Sequence, residues 1–213
     1  MRIAFLFVGV VLSTASFATS ITISNHSFEA QTLGSGSFFY SPTQITDWSS
    51  TATGGADRGV WNTGAPGKDG NNIAFAYANN AFAQQLTATV QADTVYTFQY
   101  LMGRSGGATR GTAELWAGGT LLNGVVTGGT LLAGQTLQIN QSSMSELSLT
   151  YTSPTSGAVV GQLLTIRFAG STIPGENYVS FDNARLSAEA VPEPATLTVL
   201  ALGALAAARR RRK

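Results

Sequence analysis

Apolar residues alternate with polar or small ones along most of the chain between residues 21 and 190. The apolar members of four clear runs are Ile73, Phe75 and Tyr77; Tyr96, Phe98, Tyr100 and Met102; Leu147, Leu149 and Tyr151; and Leu164, Ile166 and Phe168. A period of two is typical of strands that bury one face. Turn residues such as Ser105-Gly106-Gly107 and Ser153-Pro154 separate the runs, and no helical period of useful length occurs.

This pattern predicts an all-β fold. Roughly nine or ten short strands, each with one apolar face, bury those faces by packing sheet on sheet. The expected architecture is an antiparallel β-sandwich over residues 21–190, for which a jelly roll is the natural arrangement. An imperfect repeat, residues 117–122 and 127–132, carries Gly-Gly in each copy and predicts short meandering strands.

The first 20 residues have the composition of a secretory signal peptide. Arg2 precedes an apolar run over residues 3–12, and small residues follow at the positions where signal peptidase cuts. Ser16-Phe17-Ala18 is the best cleavage match and Ala18-Thr19-Ser20 the second. A buried N-terminal helix is the alternative.

The last 23 residues, 191–213, have three parts. Pro192, Glu193 and Pro194 cannot continue a strand ladder or a helix. An uncharged run over residues 195–208 follows, and four arginines and a lysine close the chain. The run predicts a single transmembrane helix of about 21 Å, short of a bilayer core of about 30 Å. The basic cluster keeps its own end cytoplasmic, so the body faces outward.

This tail resembles the PEP-CTERM sorting signal of exopolysaccharide-producing Gram-negative bacteria. The resemblance implies recognition by an exosortase, with the tail removed near Pro192–Pro194. The implied route is export, transient anchoring in the inner membrane with the body in the periplasm, and then the cell surface or extracellular matrix. A plain stop-transfer segment is the alternative.

Charge and cysteine content narrow the possible functions. Residues 21–190 hold six basic and ten acidic residues, a net charge of −4, so the basic character of the chain belongs to its tail. A nucleic-acid partner is therefore not expected. The chain has no cysteine, which excludes disulfides, thiol nucleophiles and thiolate metal sites.

Two segments near the ends of the body carry a second resemblance. Residues 25–29 (NHSFE) and 181–186 (FDNARL), with Trp48 between them, are similar to carbohydrate-binding jelly rolls, also called galactose-binding-like domains. That resemblance implies a structural Ca²⁺ held by Glu29 and Asp182. A shift in the apolar pattern also predicts a β-bulge at Asp182-Asn183, and a simple bulge with no metal is the alternative.

Three other residues are candidates for a ligand site. Trp61 lies in a glycine-punctuated stretch, and Arg104 and Arg110 flank a glycine loop. An indole ring can stack on the face of a sugar, and arginine can donate to hydroxyl groups. The alternative is that Trp61 simply packs under its own loop.

Catalytic signals are weak in this sequence. The single histidine, His26, has no evident nucleophile partner, and no carboxylate pair stands out. The sequence thus predicts a non-enzymatic, exported cell-envelope or matrix protein that binds exopolysaccharide. A secreted glycan-active enzyme and a structural matrix protein without a defined ligand are the alternatives.

Overall fold

The computed structural model describes residues 17–40, 45–50, 58–191 and Gly203, and it confirms the all-β prediction. The strands are β1 (Thr19–Ile21), β2 (Phe38–Phe39), β3 (Ser49–Ser50), β4 (Arg58–Asn62), β5 (Asn72–Ala76), β6 (Ala81–Thr89), β7 (Thr94–Ser105), β8 (Thr109–Ala117), β9 (Thr120–Leu122), β10 (Val125–Thr127), β11 (Thr130–Ile139), β12 (Ser145–Thr152), β13 (Leu163–Ala169) and β14 (Tyr178–Ala190). The predicted sorting motif and most of the predicted signal peptide lie outside the described residues. Among the described residues, no helix is long and apolar enough to cross a membrane.

The strands form the predicted antiparallel sandwich, with jelly-roll-like packing of two sheets. One sheet has the order β12-β7-β14-β5-β4-β2, with β1 also paired to β14, and the other has the order β11-β8-β13-β6-β3. The first copy of the glycine-rich repeat ends in β9 and the second leads from β10 into β11, while β9 and β10 form a small hairpin. The described residues form 14 strands, more than the nine or ten predicted, and nine of them have five or more residues. The remaining strands have only two or three residues, which is too short to leave a pattern.

Burial follows the period of two that the sequence shows. Along β8, buried and half-buried residues alternate without a break. Strand β5 differs because all five of its residues are buried. Ala74 faces the core between the sheets, whereas Ile73 packs with Leu101 and Met144 in a second, smaller cluster. Both faces of the first sheet are therefore covered near β5.

Aromatic rings dominate the core between the sheets. Phe168 is fully buried, and its ring centroid lies 4.5–5.9 Å from five other rings, which belong to Trp48, Phe82, Phe98, Tyr100 and Phe181. At these separations, tilted and offset rings attract each other beyond the gain from burial. Trp48 is thus a core residue.

Strand β14 has different neighbours along its two halves. Residues 179–181 pair with β5, whereas residues 186–188 pair with β1. On its other side it pairs with β7 along its whole length, apart from a register shift between Asp182 and Arg185. Asn183 has a φ of 46° at this point, so the predicted bulge is confirmed.

We predict that Phe168→Ala lowers the free energy of unfolding by about 3–5 kcal/mol, since it opens a cavity among five rings. Phe38→Ala is a matched control because the Phe38 side chain is 54% exposed; it should cost no more than about 1 kcal/mol. Urea denaturation followed by tryptophan fluorescence measures both. Equal losses would contradict a Phe168-centred core.

Candidate functional site

An open cleft of about 480 Å³ lies on the outer face of the first sheet. Its lining residues are Phe38, Tyr40, Trp61, Phe75, Ser105, Gly106, Asn177 and Tyr178. They come from β2, β4, β5 and the adjoining ends of β7 and β14, together with loop residues. We call this feature the aromatic cleft, because five of its eight lining residues carry rings.

Two rings of the aromatic cleft are unusually exposed. Phe38 and Tyr40 stack with their centroids 4.9 Å apart and an interplanar angle of 17°, yet they remain 54% and 45% exposed. Deeper in the sheet, Tyr178 contacts Phe75 edge to face at 5.5 Å and the neighbouring Tyr77 at 4.9 Å. Flat apolar surface is therefore available to a ligand.

The edge of the first sheet builds one side of the cleft. Phe38 in β2 is paired with Trp61 in β4, and the Trp61 Nε1 donates a hydrogen bond to the Gly36 carbonyl at 3.3 Å. Gly59 makes this pairing possible. A Cβ at residue 59 would lie 2.0 Å from the Phe39 carbonyl oxygen and 3.0 Å from the ring of Phe75, so any larger residue would displace β2.

Few polar groups face the aromatic cleft. The hydroxyl groups of Ser105 and Ser180 lie 3.1 Å apart, within hydrogen-bond distance, and Asn177 contributes an amide. Among the described lining residues there is no carboxylate, histidine, lysine or arginine. The arrangement can stack rings and exchange a few hydrogen bonds through its serine, asparagine and tyrosine side chains.

The structure separates the three predicted ligand-binding residues. Trp61 lines the aromatic cleft and also packs against the Ile73 cluster. Arg110 forms an ion pair with Glu176. Arg104 is half-buried, and its Nε has no hydrogen-bond partner among the described residues. Neither arginine lines the cleft.

The two predicted calcium ligands come together at residues 68–72. Glu29 Oε1 accepts hydrogen bonds from the backbone N–H groups of Asn71 and Asn72, each at 2.7 Å. Asp182 Oδ2 accepts a hydrogen bond of 2.6 Å from the backbone N–H of Asp69, which lies 113 residues earlier in the chain. Gly70 is required here, because a Cβ would lie 2.6 Å from Glu29 Oε1 and its φ is +66°. We call Glu29, Asp69 and Asp182 the carboxylate cluster.

Asp182 is fully buried, and the pKa of its carboxyl group is raised from 3.8 to about 7, with burial as the largest cause. The nearby carboxylates of Asp69 and Glu29 contribute to this rise, while hydrogen bonds from the backbone N–H groups of Asp69 and Asn183 oppose it. An anion in a crowded, desolvated position is costly unless a proton or a cation neutralises it.

Two buried oxygens beside the carboxylate cluster, Asn72 Oδ1 and Gln31 Oε1, have no hydrogen-bond partner among the described residues. Amide oxygens and carboxylate oxygens are the ligands that Ca²⁺ prefers. No group of three or more His, Cys, Asp or Glu side chains in the described residues is arranged to hold a metal. Backbone and amide oxygens would therefore have to complete a calcium shell.

His26 lies apart from both sites. It is exposed and lines a smaller cleft of about 290 Å³ with β1 and Arg185. Arg185 pairs with Glu146 across the sheet at 2.9 Å. No serine is hydrogen-bonded to the His26 ring among the described contacts.

Sequence reasoning missed most of the aromatic cleft. Phe38 and Tyr40 carry its most exposed rings, but they lie in or just after a two-residue strand, and Tyr178 lies far from them in the chain. One signal was available, because Phe38-Phe39-Tyr40 is a run of three aromatics within a stretch of glycine and serine. Exposed rings in a polar, turn-rich segment are unusual and indicate contact with a partner.

Two family models match the chain. One, described as HpiC1-like and HpiC1 cyclase, matches residues 19–187, and the other, described as the PEP-CTERM protein-sorting motif, matches residues 190–213. No curated protein matches the chain. The second match confirms the sorting motif that the tail was predicted to carry.

Solved structures share the fold. The Stig cyclase FisC from Fischerella sp. TAU, in complex with (3Z)-3-(1-methyl-2-pyrrolidinylidene)-3H-indole, has a TM-score of 0.70 and 24% identity, over 83% of this chain and 100% of that chain. A cyclase from the same organism, in complex with 4-(1H-indol-3-yl)butan-2-one, has a TM-score of 0.69 and 24% identity, over 82% and 100%. An arabinose-bound GH51 α-L-arabinofuranosidase has a TM-score of 0.52 and 12% identity, over 79% and 26%.

We predict that the metal-free protein loses stability as the pH rises between about 4 and about 8. The Asp182 carboxyl has a higher pKa in the folded state, about 7, than the ordinary 3.8 of an exposed carboxyl. The folded state therefore holds this proton more tightly, and each pH unit inside the window costs up to about 1.4 kcal/mol.

Urea unfolding at several pH values in chelator measures this slope. Asp182→Asn should flatten it, whereas Asp47→Asn, at an exposed position, should leave it unchanged. An unaltered slope in Asp182→Asn would show that another group causes the pH dependence.

Proposed function

This chain belongs to the HpiC1-like family, and we propose that within it the sandwich is a non-catalytic binding module that recognises polysaccharide through the aromatic cleft. The PEP-CTERM motif at residues 190–213 implies an exported protein that an exosortase processes. The proposed route places the body outside the inner membrane while the apolar tail anchors it. Cleavage then releases the body to the cell surface or the matrix.

The observation that carries this proposal is the exposed, stacked pair of Phe38 and Tyr40 beside Trp61. Sugar rings present flat C–H faces that stack on aromatic rings, while their hydroxyl groups need hydrogen-bond partners at the edge of the stack. Asn177 and Ser105 supply such partners in this cleft. Accessible rings grouped in this way mark an interaction site in an exported protein.

The chemistry of the lining supports binding without catalysis. Glycoside hydrolysis needs two carboxyl groups about 5–10 Å apart across the scissile bond, and none of the described lining residues carries one. Asp182 lies four residues along β14 from Tyr178, but its carboxylate accepts a hydrogen bond from the Asp69 N–H and does not line the cleft. A glycan-active enzyme would need acids that the described cleft does not provide.

A cyclase is the second candidate, and the family match favours it. The matching family model is named for a cyclase, and the solved cyclases with this fold bind indole compounds. The aromatic cleft of this chain is mostly apolar and could accept an indole-like ring as readily as a sugar. In that case Tyr40 and Tyr178 would be the described groups able to exchange a proton.

We predict that Tyr40→Ala and Trp61→Ala weaken binding of the mature protein to exopolysaccharide about threefold to tenfold each, since each removes one stacking surface worth about 0.5–1.5 kcal/mol. Affinity electrophoresis in gels containing a panel of bacterial polysaccharides measures this. Trp116→Ala is the matched control, because Trp116 lies in β8 of the other sheet and its Nε1 binds Glu114.

Unchanged retention of both cleft variants, or no retention of wild type on any polysaccharide, would overturn the binding proposal. The same proteins are then incubated with 4-(1H-indol-3-yl)butan-2-one. Saturable binding of this probe that Tyr40→Ala weakens would indicate an indole-type site. Conversion of an indole compound with an open apolar side chain into a cyclised product, detected by mass spectrometry, would establish cyclase activity in place of the binding function.

We also propose that the carboxylate cluster holds a structural Ca²⁺ through Glu29 and Asp182. At a Ca²⁺ concentration a hundredfold above its Kd, a site present only in the folded state adds about 2.7 kcal/mol of stability. We therefore predict that Ca²⁺ raises the Tm by roughly 5–10 °C over chelator, and that Glu29→Gln abolishes most of the rise.

Differential scanning calorimetry measures the effect, with Asp47→Asn as the matched control that keeps the full rise. Mg²⁺ should stabilise less, because it requires a tighter octahedral shell. A Tm that does not respond to Ca²⁺ would exclude the calcium role.

A further inference from the structure

The two ends of the body leave the sandwich on the same side. Strand β1 pairs antiparallel with β14, and Thr19 is the partner of Ala188. The chain before Thr19 therefore points in the direction in which β14 runs as it approaches Ala190. Cleavage of the signal peptide after Ala18 leaves β1 whole, whereas cleavage after Ser20 would remove two of its three residues.

Only a short segment connects the last strand of the sandwich to the apolar run of the tail. The Val191 N–H donates to the Asp93 carbonyl at 2.6 Å, and Asp93 is itself fixed by the hydroxyl of Thr155 at 2.8 Å. The sorting motif begins at the next residue, and the apolar run begins at Ala195. Four residues span at most about 14 Å, so the last turn of the sandwich cannot move far from the membrane.

The aromatic cleft lies at the other end of the same strands. In the pairing of β14 with β7, Ala190 is opposite Thr94, whereas Tyr178 is opposite Ser105. Tyr178 and Ser105 both line the cleft. Twelve residues of strand separate the two ends, which corresponds to about 40 Å.

The end near the tail carries no charge that would hold it on a lipid surface. We define the terminal rim as residues 91–94, 153–156 and 187–191. Its charged side chains are Asp93 and Glu189, and it contains no lysine or arginine. Anionic lipid surfaces attract basic segments, so the rim has no electrostatic attraction to them, and the tail alone would keep it there.

Resting on the membrane anchoring proposed above, we infer that the tethered sandwich stands on the bilayer on its terminal rim and holds the aromatic cleft outward at its far end. The rim faces lipid headgroups and the cleft faces polysaccharide before the tail is cut. Because the rim does not adhere by itself, cleavage of the tail releases the sandwich.

The absence of cysteine from the chain makes a direct test possible. Single cysteines are placed at three exposed positions, by Ser156→Cys on the rim, Ser148→Cys at half height in β12 and Thr172→Cys beside the cleft end. Each protein, residues 19–213, is reconstituted in vesicles without exosortase and labelled from outside with an impermeant donor dye. Energy transfer to an acceptor lipid in the outer leaflet measures the height of each position.

The inference predicts transfer that is greatest at residue 156, smaller at 148 and smallest at 172. Equal transfer at the three positions, or the greatest transfer at 172, would overturn the orientation while leaving the anchoring intact. No transfer at any position would instead overturn the anchoring. Residues 19–191 added to the same vesicles should show no transfer, and transfer from the rim there would show that the rim itself binds lipid.

Discussion

Along one edge, strand β14 pairs with a different strand in each half of its length. The rest of the architecture depends on how it changes from one partner to the other. Its first half is completed by β5 and its second half by β1. The change occurs at the bulge between Asp182 and Arg185, where Asn183 adopts a positive φ. Before the bulge, Phe181 faces the core and Tyr178 faces the cleft side. After the bulge, Ala184 and Leu186 return to the core.

This arrangement gives the sandwich two ends with different surfaces. At one end, the sheet carries exposed rings, a deep layer of packed rings beneath them and few polar groups, which suits recognition by stacking. At the other end, the chain enters the sandwich next to the predicted signal peptide and leaves it next to the PEP-CTERM motif. The carboxylate cluster lies between them and ties Glu29, residues 69–72 and Asp182 together across the first sheet.

The amino-acid pattern predicts the fold better than the cleft, for a physical reason. Long strands such as β7 and β8 alternate apolar and polar residues because one side faces the core, and that alternation is visible in the sequence. The bulge and the buried Trp48 leave local signals too. Apart from the Phe38-Phe39-Tyr40 run, the cleft leaves no local signal, because Phe38, Trp61 and the rings of β5 and β14 meet only through strand pairing.

The candidate residues illustrate the same difference. The family resemblance pairs Glu29 with Asp182, and the structure brings both to one loop. Trp61, in its glycine-punctuated stretch, lines the cleft. Arg104 and Arg110 flank a glycine loop, but neither lines the cleft, and Arg110 is held by Glu176. Proximity to a loop does not determine which face a side chain takes.

Hydrogen–deuterium exchange with and without saturating polysaccharide fragments tests most directly whether the aromatic cleft is the ligand site. The account predicts slower exchange at residues 36–40, in β4 and at residues 105–107, with no change around residues 91–94 at the opposite end. Slower exchange confined to the terminal rim or to the β9–β10 hairpin, with the cleft segments unaffected, would contradict it.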